Sequence, residues 1–276
     1  MNKSNFELRI GLLGLGLLGL TGLAGALADS SLPHDLARAF HPPSLKNGLG
    51  YDAYGVSLGH RILTGAWHSL WVSALVTAIT LFLGLVIGTA AALGPKAIQV
   101  VSRNLIDCFL GFPGLLLAIL IASIMPHNNA TLVFSIAATG WTGRARFCQA
   151  LLGKLSHEPH IEAARAQGAS LVRILSRHLW PLLAGQLLIQ ASLAMGQAIL
   201  AEASLSFLGL GGNAGNESWG TLISEGRDHL IEAPHISLIP GVFFVIIVLA
   251  FTLTAEGLRK ELDPNSTRGY TKKLRK

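Results

Sequence analysis

Residues 68–94, HSLWVSALVTAITLFLGLVIGTAAALG, contain no charged side chain. A bilayer core about 30 Å thick takes about 20 apolar residues in a helix, and a helix also satisfies every backbone N–H and C=O within its own segment. Five further stretches have or approach this character: 9–28, 105–125, 130–143, 178–200 and 238–258. The stretch 130–143 is short and is expected to continue through RARFCQALL. We therefore expect an all-α, polytopic membrane protein with six transmembrane helices. Composition agrees: 13% of the residues are charged, half the roughly 25% of a soluble domain.

The net charge of +6 raises the possibility of a nucleic-acid partner, and its distribution removes it. With six spans, only Arg38, Lys46, Arg61 and Arg227 of the 21 Lys and Arg fall on one side of the membrane. Such an excess marks the cytoplasmic side and places both termini there. The first stretch follows Lys3 and Arg9 and ends Ala26-Leu27-Ala28, like a signal peptide with a small-residue cleavage site. It exceeds the roughly 7–15 residues of a signal core, so we expect it to stay as an anchor. Residues 1–67 then form an anchor helix and extracytoplasmic linker, 68–264 the transmembrane core, and 265–276 a basic cytoplasmic tail.

Several patterns imitate chemistry. Gly14, Gly16 and Gly19 fit G-x-G-x-x-G, but a dinucleotide site needs a strand before the glycines and a helix N-terminus after them. Inside an apolar helix they can admit a neighbouring helix instead, as can Gly84 and Gly88. The histidines of HEPH, His157 and His160, are spaced i, i+3 around Pro159 and cannot form the i, i+4 metal pair of a zincin. Gly153-Lys154 lacks the upstream Gly and following Ser/Thr of a phosphate loop, so any nucleotide belongs to another chain. Cys108 and Cys148 have neither disulfide nor metal spacing. No catalytic residue, cofactor or metal site is expected, and the chain is not read as an enzyme.

Acids within or beside the spans are few: Asp107, Glu202 and Glu256. Glu202 either has a function at bilayer depth or sits near the outer interface, where the chain leaves the membrane. An ion-coupled carrier would require acid–base partners in the membrane and symmetry between its halves, and neither is visible.

The segment HEPHIEAARAQGASLVRIL, 157–175, is charged and helix-prone, with one glycine. Pro159 suits a first helical turn, 161–167 are good helix formers, and Gly168 suits the left-handed residue that ends a helix. Ser170 can cap a second helix from Leu171. Two short helices meeting at a corner could rest on lipid headgroups or dock into a partner; the absence of a strong apolar stripe favours the partner.

These residues resemble the EAA loop of ABC-transporter permeases, E-A-A-x3-G with a following L-P, matching at Glu162, Ala163, Ala164, Gly168 and Pro181. FPGLLLAI (112–119), GWTGRAR (140–146), AILAEASLSFLGLG (198–211), SWGTLISEGRDHL (218–230) and GLRKELDPN (257–265) are similar to the second permease subunit of dipeptide, oligopeptide and nickel importers. Residues 49–70 are a looser version of that subgroup's L-G-T-D-x-x-G-R-D segment. Asp52 and Gly55 are kept, while Tyr51, Val56 and Ser57 depart from it. The resemblance implies the type I importer permease fold in the bacterial inner membrane. It also implies a sister permease subunit, two ABC ATPase subunits and an extracytoplasmic solute-binding protein. The EAA helix would seat on an ATPase and couple ATP-driven closure to alternating access. Peptides are the implied substrate, with nickel or another small solute as alternatives. Asp52 and Glu202 are candidates for pathway or structural roles.

Overall fold

The computed structural model describes residues 3–27, 35–212 and 217–262. Ten α-helices run through these residues. They are α1 (Lys3–Leu27), α2 (Leu58–Leu93), α3 (Lys96–Leu110), α4 (Gly114–Ile124), α5 (Asn129–Leu155), α6 (Pro159–Ala166), α7 (Leu171–Ile174), α8 (Trp180–Phe207), α9 (Trp219–Arg227) and α10 (His235–Leu262). The expected basic tail, 265–276, lies outside the described residues, as does Ala28 at the end of the first stretch.

The longest helix, α2, lies against α5 and also meets α8, α1, α3 and α9. Missing side chains are what bring α2 and α5 together. A methyl group on Gly84 would stand 2.6 Å from Arg144 Cβ, and one on Gly88 2.6 Å from Cys148 Cβ, closer than carbon atoms can pack. In α1, Gly14 likewise faces Ala250 of α10, 2.7 Å from where a Cβ would be, whereas Gly16 and Gly19 face nothing within 4 Å. The fingerprint-like run is therefore a helix-packing surface at one of its three glycines.

Buried apolar clusters follow the bundle from end to end. At the end holding 35–57 and α9, Leu58, Ile62, Ile199, Trp219 and Ile247 pack together, and Trp219 Nε1 donates to Ile62 O at 3.1 Å. Val72, Val76, Leu132, Ile136 and Leu205 fill the middle. At the opposite end Leu152, Ile161, Ile174, Leu179 and Leu183 join α5, α6, α7 and α8.

Among the described residues four helical runs are long and apolar enough to span a membrane: α1 over Leu8–Gly25, α2, Leu171–Phe207 and α10. The fourth expected stretch is α5, and it continues through 144–152 as anticipated. Its 27 residues exceed the length of a membrane core, but Arg144, Arg146 and Lys154 make it too polar to qualify by composition. The third expected span, 105–125, is not one straight helix. Helix α3 starts at Lys96, ahead of the expected stretch, and meets α4 at an 83° bend. Pro113 explains the break: it has no N–H to donate and it disfavours helical backbone at Phe112. Counted as one bent span, the pair makes five.

Candidate functional site

The corner anticipated from HEPHIEAARAQGASLVRIL is present. Pro159 opens α6 at its first turn, where no N–H is needed, and Glu158 precedes it in extended backbone. Helix α6 ends one residue earlier than expected, with Gln167 as its cap. Gly168 follows at φ +82°. Its N–H donates to Arg165 O at 3.0 Å, and the N–H of Ala169 donates to Ala164 O at 3.1 Å. This pair of bonds is the Schellman arrangement, which closes a helix on a left-handed residue and satisfies its last carbonyls. The Ser170 hydroxyl then accepts from Arg173 N at 3.4 Å and starts α7.

One side chain fixes this corner to the bundle. Ile161, fully buried, is the one buried residue of α6, and it packs with Leu152, Ile174, Leu179 and Leu183. Glu162, Ala163, Ala166, Gln167 and Gly168 are exposed, with Ala164 partly covered. His157 Nδ1 lies 3.9 Å from Glu162 Oε1 across open surface, a separation that restrains the carboxylate little. The exposed face is small, polar at its edge and free of large apolar groups, suited to close contact with a shaped partner.

Pro181 sits where the segment joins α8. Proline cannot donate to the carbonyl four residues back, and its ring would strike that carbonyl. The chain opens into a π-turn over Leu175–Leu179, with Trp180 N–H bonded back to Leu175 O. Helicity continues through this wider turn, so Leu171–Phe207 forms one run from the corner to the far end of the bundle.

At the end holding 35–57, Asp52 belongs to a charge network. Its Oδ1 accepts from the N–H groups of Tyr54 and Val56, both at 2.8 Å, and its Oδ2 pairs with Arg61 Nη1 at 2.7 Å. The same guanidinium meets Glu217 Oε1 through Nε at 2.6 Å and Glu225 Oε2 through Nη1 at 2.8 Å. One arginine thus fastens the 35–57 segment, the start of α2 and α9. Glu202 is fully buried between α2 and α8, where its carboxylate accepts from Ser69 Oγ at 2.9 Å and Ser206 Oγ at 2.8 Å. It is a buried cross-helix clamp.

The corner residues Glu162, Ala163, Ala164 and Gly168 gather at one end, with Pro181 just beyond; Asp52 and Glu202 lie well away from them. Sequence reasoning missed the partners of Asp52 and Glu202. Glu217 and Glu225 are 156 and 164 positions from Arg61, so no local spacing could have joined them. Ile161 left a usable signal as the one large apolar residue between Pro159 and Gly168.

Residues 81–268 match the family model described as binding-protein-dependent transport system inner membrane component. The chain is 34% identical over 266 residues to a Brucella suis biovar 1 protein provisionally named a peptide transport system permease, covering 96% of this chain and 89% of that one. It is 33% identical over 236 residues to the glutathione transport system permease protein GsiD of Pectobacterium atrosepticum, covering 86% and 78%. A solved inward-facing structure of the MetNI methionine ABC transporter matches with a TM-score of 0.61 at 15% identity, over 74% of this chain and 96% of that one.

Proposed function

The chain belongs to the family of binding-protein-dependent transport system inner membrane components, and from that membership we propose that residues 159–181 are the segment through which a separate ATPase drives it. It is an ABC-importer permease with the type I fold, a multi-pass inner-membrane protein and a transport subunit rather than an enzyme. The observation that carries the coupling reading is the closed corner at Gly168: a short helix with an exposed small-residue face, anchored by Ile161 and continuous through α7 with α8.

In this reading α6 seats in a cleft of the ATPase, with Ala163 and Ala166 allowing close approach and Glu162 offering a polar contact. Closure of two ATPases carries the α6 helices of this chain and a sister permease toward each other. The anchored bundle follows as a rigid body and exchanges inward for outward access. Substrate arrives from an extracytoplasmic binding protein. Peptides are the proposed cargo, in keeping with relatives named for peptide and glutathione transport. The corner end and both termini face the cytoplasm, in keeping with the basic residues of that side.

The test is purification of the tagged chain in mild detergent with mass-spectrometric identification of its companions. An ATPase and a second permease are expected. A Glu162→Arg, Ala163→Asp double variant should keep the permease and lose the ATPase. A chain that elutes alone, or a double variant that retains the ATPase, refutes the coupling role.

A further inference from the structure

Arg144 is an arginine without a carboxylate. Its neighbours in the sequence and at the same end of the bundle are settled: Arg146 pairs with Asp107, and Arg103 donates to Ala91 O at 3.0 Å and to Gln99 Oε1 at 3.1 Å. Among the described residues no acid lies within ion-pair distance of Arg144. Its Nη1 donates to Gly140 O and its Nη2 to Gln197 Oε1 at 3.0 Å, while Nε is buried with no acceptor. Each terminal nitrogen of a guanidinium carries two N–H groups, so Nη2 keeps one donor beyond its bond to Gln197.

Arg144 lies fifteen positions along α5 from Asn129, about 22 Å at 1.5 Å per residue. Its guanidinium reaches one turn back to Gly140 and across to α8. It lines a cavity of about 180 Å³ between α2, α4, α5 and α8, whose walls include Thr80, Gly114, Thr139 and Gln197. A single water takes about 30 Å³, so the space admits a carboxylate and a few adjoining atoms but not a whole peptide.

We infer that Arg144, with Gln197 beside it, is a resting point for the C-terminal carboxylate of a peptide in transit. The inference rests on the peptide-import reading above. The guanidinium supplies the charge, the second N–H of Nη2 supplies a donor, and the Gln197 amide nitrogen supplies another while its oxygen is held by Nη2. The rest of the peptide lies outside the cavity, which is why the site grips the feature common to all peptides and leaves their side chains unread.

The experiment uses the assembled importer in nanodiscs without its binding protein, and ligand-detected NMR with dialanine and dialanine amide. Dialanine should bind the natural assembly about ten- to a hundredfold more tightly than the amide, the range for a charge-assisted hydrogen-bonded pair. Arg144→Gln should remove that difference while leaving the weak amide binding in place, and Arg144→Lys should restore part of it. Equal binding of acid and amide, no detectable dialanine binding, or full discrimination in Arg144→Gln would each overturn the assignment. Failure of the underlying reading has a separate signature: the natural importer, reconstituted with its loaded binding protein and ATP, would move no peptide.

Discussion

Replacing Gly168 by valine tests the corner with little else disturbed. A Cβ at this position would meet nothing within 4 Å, so the substitution creates no clash and its cost is confined to the backbone. At φ +82° an L-residue pays about 1–2 kcal/mol, and a β-branched one stands toward the upper end of the roughly 1–3 kcal/mol range for strained backbone. The corner is closed by two hydrogen bonds, each contributing a net of about 0.5–1.5 kcal/mol. The penalty is comparable with the restraint, so valine shifts the segment toward an opened corner in which α6 is no longer presented at a fixed angle. One to two kcal/mol corresponds to about a 5–30-fold change in population, and substrate uptake in proteoliposomes should fall by a similar factor. The amount of protein in the membrane should not change, because every spanning helix lies outside the altered turn. Asn tolerates left-handed backbone, so Gly168→Asn should keep most of the transport. Valine transporting as well as glycine would refute the corner argument. Asparagine failing as badly as valine would show that the site needs an absent side chain rather than a permitted φ.

Three further outcomes are expected. Glu202→Leu leaves the buried hydroxyls of Ser69 and Ser206 without their acceptor and should lower stability in detergent by about 1–3 kcal/mol, while Glu202→Gln should come close to the original by thermal unfolding. Arg61→Ala leaves Asp52, Glu217 and Glu225 facing one another without their shared cation and should cost about 3–5 kcal/mol. Limited proteolysis within 35–57 should then become faster, and an unchanged cleavage rate would show that the segment is held by other contacts. Gly84→Val should loosen α2 from α5 at about 1–3 kcal/mol or more, whereas Gly16→Ala, which faces open space, should leave the melting temperature where it was.

The spans and the corner were legible for physical reasons that act locally. Apolar runs mark themselves by length, and the sequence from Pro159 to Ser170 carries its own start, stop and restart in residues a few positions apart. The bend at Pro113 was local too, yet hydropathy hides it, because 105–125 stays apolar through the break. The charge network around Arg61 and the clamp at Glu202 depended on packing. Ser69 lies 133 positions from Glu202, and only the approach of α2 to α8 brings them together. Glu202 shows the difference plainly. In the sequence it was a lone acid open to a functional or an interfacial reading; in the fold it is buried, and each oxygen accepts from a serine hydroxyl, one on α2 and one on α8.

Coupling requires that a push on α6 move helices rather than bend a loop, and the packing shows how it would. Ile161 is held by residues of α5, α7 and α8 at once, so α6 cannot shift without carrying that cluster. Helix α8 passes the displacement to α2 through Glu202 and Ser69, near the opposite end of the bundle, and α5 is fastened to α2 by the close approach at Gly84 and Gly88. These links close a triangle of α2, α5 and α8, and a triangle fixed at separated heights rotates as a body. Arg144 sits on one side of that triangle and reaches across to another, joining α5 to Gln197 of α8. A carboxylate in the cavity would meet the same guanidinium and amide that make the one described side-chain hydrogen bond from Arg144 to α8. Occupation of the cavity and the rigidity of the lever are thereby linked through a single side chain.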